Sequence, residues 1–229
     1  AVAPWPRAAA AAEPPPRTLH LTLYALTGDA VLYRGLRTIR SEGGRVTVTT
    51  EYTLPSGAPV QRTESVYEEA SLAPLSHRLH DARSGEEESL VREGEALRLS
   101  YRAKGTDAES SATLPHAPGQ GFTASVEPLI LRQWERLAAG AAVPFRLLVP
   151  SRRDSYAFRL QRDEASPLRQ PGTRVLRMEP DSWLVRRLVD PLFFVLELQA
   201  PHRLREFRGR SSIKTDAGAD QDLRIVFSE

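Results

Sequence analysis

The chain has 229 residues, 31 Lys plus Arg against 29 Asp plus Glu, one Met and no Cys. At 41% hydrophobic and 26% charged it is long and apolar enough to bury a core without a disulfide or metal staple. The near-zero net charge argues against nucleic acid, because phosphate-binding proteins concentrate a much larger basic excess, and the longest apolar run, Pro191 to Leu196, is far too short for a membrane-spanning helix.

The first residues, Ala1-Val2-Ala3, lead into an alanine run, Ala8 to Ala12, and then Glu13-Pro14-Pro15-Pro16. Such sequence buries nothing and prefers an extended conformation, so residues 1–17 are expected to be a linker tail left after removal of an export signal. Residues 18–229 are then a single β-rich domain. The lack of Cys fits export to an oxidising compartment.

Leu19-His20-Leu21-Thr22-Leu23-Tyr24 alternates apolar and polar side chains, the period of a strand with one buried face. Val31 to Ile39 and Val46 to Leu54 flank Gly43-Gly44, which can take the positive φ values of a tight hairpin. Pro55-Ser56-Gly57 turns into Val60 to Glu68, Ser84-Gly85 into Glu88 to Arg92, and Glu93-Gly94 into Ala96 to Tyr101. Closely spaced turns between short strands describe an antiparallel meander.

Ser125 is placed to cap a helix with Pro128 in its first turn and Gly140 as its stop; Val126, Leu129, Ile130, Trp134 and Leu137 recur on one face. A hairpin from Pro144 to Pro150 and Tyr156 to Arg162 follows, then a two-turn helix over 181–189, and strands at Leu192 to Leu198, His202 to Ile213 and Leu223 to Phe227. The fold class is therefore mainly β, with about ten strands. A sheet of that size must close, curl or cover its edges, which points to a strongly curved meander or open barrel holding the amphipathic helix on its concave face.

The chemistry-bearing motifs are few. There is no G-x-G-x-x-G, no P-loop, no G-x-S-x-G and no H-E-x-x-H, and without Cys no thiol nucleophile. His77 and His80 are three residues apart, so in a strand they face opposite ways and give no metal site. Glu86-Glu87-Glu88 reads as a solvated hairpin end. The basic segments Arg152-Arg153, Arg186-Arg187 and Arg203 to Arg210 would make an anion-attracting rim if they converged. No cofactor is implied.

The apolar surplus carries more. Pro144 to Pro150 and Leu192 to Leu196 are apolar on both faces, as in strands buried on two sides. This surplus suggests a cavity between sheet and helix, lined by Ile130, Trp134, Leu137, Phe145, Phe158 and Phe194, with Arg152 and Arg153 at its rim. A filled core with no cavity is the competing expectation.

The Leu32-Tyr33-Arg34-Gly35 strand, the Ser125 to Gly140 helix after a meander, and the closing hairpin from Phe207-Arg208-Gly209-Arg210 to Leu223-Arg224-Ile225-Val226 resemble, in layout, secreted bacterial curved-sheet proteins near the lipoprotein carriers LolA and LolB. The resemblance implies a non-enzymatic periplasmic or secreted envelope protein with a hydrophobic groove. The resemblance carries over no catalytic residue, and the expected partners are a lipid or other hydrophobic small molecule and an envelope protein. An envelope enzyme acting on glycan or lipid through carboxylates of distant strands, and a structural protein with a filled core, are the alternatives.

Overall fold

The computed structural model describes residues 15–183, 186 and 189–229. The tail expected over 1–17 thus lies almost wholly outside the described residues, as do 184–185 and 187–188 of the second expected helix. Strands β1 (Arg17–Ala25), β2 (Val31–Glu42), β3 (Arg45–Thr53), β4 (Pro59–Glu68), β5 (Pro74–Asp81), β6 (Glu87–Glu93), β7 (Ala96–Arg102) and β8 (Glu109–Pro115) precede the helices. After a two-residue strand β9 (Gln120–Gly121) come α1 (Val126–Arg132) and α2 (Trp134–Ala138). The remaining strands are β10 (Val143–Val149), β11 (Asp154–Arg162), β12 (Thr173–Pro180), β13 (Leu192–Glu197), β14 (Leu204–Arg210) and β15 (Asp222–Ser228).

All fifteen strands join one sheet in the order β8-β7-β6-β5-β4-β3-β2-β1-β15-β14-β13-β12-β11-β10-β9. First and last strands therefore meet mid-sheet, Leu21 opposite Phe227 and Leu23 opposite Ile225. The two edges, β8 and β9, are consecutive in the chain, joined only by 116–119. Laid flat, fourteen inter-strand spacings would put those edges about 67 Å apart, whereas the link reaches at most about 17 Å. The sheet must therefore curl almost onto itself, and it does so without a ladder across the seam.

Side chains close that seam instead. Leu90, Leu97, Leu99 and Leu114 from β6 to β8 pack with Phe122 and Leu148 from the other edge. A 3-10 turn over Pro150–Arg152 lies against β6 and β7. On the concave face the alternation read from the sequence is directly visible: Leu19, Leu21 and Leu23 of β1, Leu223, Ile225 and Phe227 of β15, and Leu192, Phe194 and Leu196 of β13 share one cluster with Val126, Ile130, Trp134 and Leu137 of the helices. The hairpin at Gly43-Gly44 forms with φ of 57° and 75°, setting Glu42 opposite Arg45.

Three expectations change in detail. Fifteen strands form among the described residues where about ten were expected, and β5, β8, β9 and β12 were not placed from the sequence: β8 is an edge strand of small polar residues, exposed at every second position, and β12 is buried on both faces and so does not alternate. The helix is not continuous to Gly140, because Gln133 (φ −101°, ψ 14°) breaks it into α1 and α2. Ser125 stands at the start of α1 but does not cap it; its hydroxyl accepts from the Phe122 N–H at 3.1 Å and donates to the Phe122 carbonyl at 2.8 Å. Gly121 makes this possible, since a Cβ there would lie 2.3 Å from Ser125 Oγ.

Candidate functional site

Six of the eight ligand-lining residues expected from the sequence come together. Ile130 and Leu137 are fully buried, Trp134, Phe145 and Phe194 nearly so, and half-buried Phe158 packs against the same cluster. Strand register explains the aromatic pairing, for Phe145 lies opposite Phe158. Trp134 stacks on His202 with ring centroids 3.8 Å apart, and the Arg174 guanidinium stands 4.5 Å from its centroid. The two-sided burial expected of Leu192 to Leu196 holds for β13, where Val195 is buried on the face opposite Phe194 and Leu196. In β10 it is confined to Leu147 and Leu148, which pack into different clusters. This interior is a packed apolar core around the helices.

Arg152 and Arg153 are elsewhere. They follow β10 in the turn against β6 and β7, with Arg153 in the left-handed region at φ 54°. The other expected basic segments do not pool into a rim: Arg203 pairs with Glu229, Arg205 with Glu197, Arg208 with Glu206, and Arg210 with Asp220 and Asp222.

Polar groups gather at one end of the barrel, where the connection between β14 and β15 reaches across to β4 through β7. Gln61 and Ser212 exchange hydrogen bonds, and Arg83 donates to the Lys214 carbonyl at 2.7 Å and to Asp216 at 2.9 Å. The resulting recess, about 520 Å³, is lined by Asp81, Arg83, Glu86, Tyr101, Lys104 and Lys214 among others. Only two lysines occur in the chain, and both are here. A second recess of about 560 Å³ includes Arg62, Arg78, His80, Glu87, Glu88 and Tyr101. Tyr101 lines both.

Here the sequence reading of Glu86-Glu87-Glu88 as a solvated turn is corrected. Glu86 is 6% exposed, and its Oε1 takes Lys214 Nζ at 2.6 Å and the Tyr101 hydroxyl at 2.9 Å. Glu88 is half-buried, while exposed Glu87 pairs with Arg102 at 2.7 Å. Period-two alternation was the available signal, because Glu86 and Glu88 share a face with fully buried Leu90. Burial raises the Glu88 carboxyl above its ordinary pKa, with Ser151 pulling down and Glu86 adding to the rise. Burial, then hydrogen bonding to Glu86, raises Tyr101. Desolvation lowers Lys214, but the Glu86 contact outweighs it and holds the ammonium on. The recess thus offers fixed donors and acceptors of both signs, suited to a hydroxyl-rich or zwitterionic group. Among the described residues no three metal-ligating side chains converge.

His77 and His80 fall on opposite faces, as the odd step in a strand dictates. His80 approaches Glu87 at 3.5 Å; His77 points inward, its Nδ1 2.8 Å from Ser65 Oγ and its ring stacked on Phe122 at the seam. Burial pushes the imidazole pKa down to about 4, so the native state holds it neutral while the unfolded chain protonates near pH 6.5. That contribution is fully present above about pH 6.5 and is lost as pH falls toward 4, up to about 3 kcal/mol. Denaturant titrations across this window should show the loss, and His77→Phe, which keeps the stacking, should flatten the slope. An unchanged slope in the variant would show that other groups set the acid limb.

No protein-family model matches the chain, and no curated protein matches it. A solved structure does. The crystal structure of a β-barrel-like protein of the domain of unknown function DUF1849 from Brucella abortus is similar to it with a TM-score of 0.53 and 10% identity, covering 93% of this chain and 96% of that one. At that identity the likeness shows the fold alone: a β-barrel-like architecture spanning nearly the whole of both chains. Among the described residues no helix is long and apolar enough to cross a membrane.

Proposed function

We propose that the protein is a non-enzymatic binding protein of the cell envelope, periplasmic or secreted, which carries a lipid-like or otherwise hydrophobic ligand between its curved sheet and its helices. The resemblance in layout to the lipoprotein carriers LolA and LolB belongs to this reading. One observation carries it: the helices lie against the concave face of a sheet whose two edges have no backbone ladder between them and meet largely through apolar side chains. Separating Phe122 and Leu148 from Leu90, Leu97, Leu99 and Leu114 breaks no backbone ladder, so opening there is cheaper than anywhere else in the sheet. The cluster between sheet and helices is packed at rest, so the ligand would enter between them by displacing the α1–α2 unit, which the break at Gln133 divides into two short pieces.

Trp134 reports on that event. With Trp5 and Trp183 replaced by Phe, adding a long-chain fatty acid should shift the Trp134 emission. Ile130→Trp should weaken the response, and in a tightly packed interior it also costs about 1 to 3 kcal/mol through overpacking. Loss of stability in that variant together with no lipid response in the parent would rule out the carrier reading. A second reading, a glycan-directed envelope protein, is favoured by one observation, the pair of polar recesses sharing Tyr101 and flanked by Glu86 and Glu88. Saturable binding of a soluble oligosaccharide that Tyr101→Ala abolishes would favour it.

A further inference from the structure

Away from both places, on the outer face of the sheet, a single carboxylate gathers three guanidinium groups. Glu179 of β12 is 8% exposed and pairs with Arg159 at 2.6 Å, Arg186 at 3.1 Å and Arg177 at 3.4 Å. Register brings two of them in: β11 sets Arg159 opposite Glu179 and Gln161 opposite Arg177. Arg177 and Glu179 are two residues apart and share the face opposite Leu176 and Met178, which are fully buried in the core. Arg186 comes from the chain beyond β12, its N–H bonded to the Ser182 carbonyl.

Donors here outnumber acceptors. Glu179 Oε1 alone receives Arg159 Nε at 3.0 Å and Nη2 at 2.6 Å, Arg186 Nη1 at 3.1 Å and Gln161 Nε2 at 3.4 Å. A carboxylate oxygen has only about two lone-pair sites to give, against five N–H donors on each arginine. Arg177 Nε lies within ion-pair reach of Oε2 but not in hydrogen-bond geometry, and Arg177 Nε and Arg186 Nε are buried atoms without a hydrogen-bond partner among the described residues. Three positive charges against one negative leave a local excess of 3 − 1 = +2. One ion pair needs one arginine; this arrangement leaves two guanidinium groups short of oxygen acceptors.

The side chains remain reachable, at 30% exposed for Arg159, 36% for Arg177 and 29% for Arg186. Desolvation pushes the Glu179 carboxyl up, but Arg159, Arg177 and Arg186 together hold it below the usual carboxylate range, so it stays ionised and keeps the guanidinium groups in place. The planar fork of arginine matches the oxygens of a phosphate bidentately.

We propose that Arg159, Arg177 and Arg186 form a binding site for a doubly charged phosphoryl group, inorganic phosphate or a phosphomonoester, with Glu179 as the internal counter-ion that orients them. The site stands apart from the apolar interior, and its occupancy does not depend on a ligand there.

Titration of the full chain with inorganic phosphate at low ionic strength, followed by calorimetry and phosphorus NMR, should give one saturable site that chloride does not match. Arg177→Gln should weaken it about tenfold, the equivalent of one charge-assisted hydrogen bond, and Arg186→Gln by a similar factor from outside the sheet. Glu179→Gln keeps a neutral oxygen acceptor at Oε1 to orient the guanidinium groups and should instead tighten phosphate binding, because it removes the competing negative charge; a purely structural ion cluster would lose stability and gain no affinity. Flotation with phosphatidylcholine vesicles, with and without phosphatidic acid, separates the sources. Binding of free phosphate alone assigns soluble phosphate compounds, and selective binding of phosphatidic acid vesicles assigns a lipid headgroup. No saturable phosphate binding and no preference for phosphatidic acid would overturn the proposal, as would phosphate affinity that is unaltered in all three variants.

Discussion

Replacing Leu137 by Arg should abolish cooperative folding. Leu137 is fully buried in α2 and shares its cluster with Leu160, Leu176, Met178 and Leu196, each also fully buried. The substitution forfeits about 2 kcal/mol of side-chain burial and strands a guanidinium in an apolar site at a further cost of several kcal/mol. Together these approach the roughly 5 to 15 kcal/mol that holds a typical domain folded. Near-ultraviolet circular dichroism should lose its fixed aromatic signal, since Trp134 of α2 packs in the same cluster with Phe145 and Phe194. A variant with an unaltered denaturation midpoint would mean that α2 does not pack inward, and the carrier reading would lose its helix with it.

That the helix lies on the concave face was legible because its apolar residues repeat at three- and four-residue spacing, and because so many strands in one sheet need curvature. The meander was equally legible wherever a glycine turn separated alternating runs, as at Gly43-Gly44. Four strands escaped, β5, β8, β9 and β12, and two of them for opposite reasons. β8, Glu109–Pro115, is too polar to signal burial because one of its edges has no neighbour, and β12, Thr173–Pro180, is too uniformly buried to alternate. The break at Gln133 has no marker, since Gln is an ordinary helix residue and tertiary packing decides the matter.

Sites formed by pieces distant in the chain were harder to see. Of the six apolar candidates, Ile130, Trp134 and Leu137 were found through helical periodicity and the three phenylalanines through the apolar character of their strand runs; both signals are local. By contrast, Glu86 meets Lys214 across 128 positions, and Arg159 meets Glu179 through strand register. Neither pairing leaves a trace in composition. The charge run at Glu86 to Glu88 looked like a solvated turn because a run of like charge usually is one. Counting by twos from Leu90 would have placed its first and third members inside.

Removing the ammonium from that recess is the second large effect. Lys214→Met should destabilise the fold by about 3 kcal/mol, the cost of leaving a nearly buried carboxylate without its partner. Among the described residues Glu86 would then keep the Tyr101 hydroxyl as its close side-chain donor, at 2.9 Å. Lys214 also sits in the connection between β14 and β15, whose neighbouring residues Ser212 and Ile213 engage Gln61 and the apolar core, so the loss should propagate to the barrel end rather than stay local. A double-mutant cycle with Glu86→Gln separates the pair from its surroundings. Because the Gln side chain is neutral and still accepts from Tyr101, Glu86→Gln/Lys214→Met should regain much of what the single Lys change loses, with a coupling of about 1 to 3 kcal/mol. Denaturant midpoints of the four proteins measure it directly. Additive losses would mean that Lys214 and Glu86 stabilise the fold independently, and the recess would then be a solvated surface rather than a built polar site.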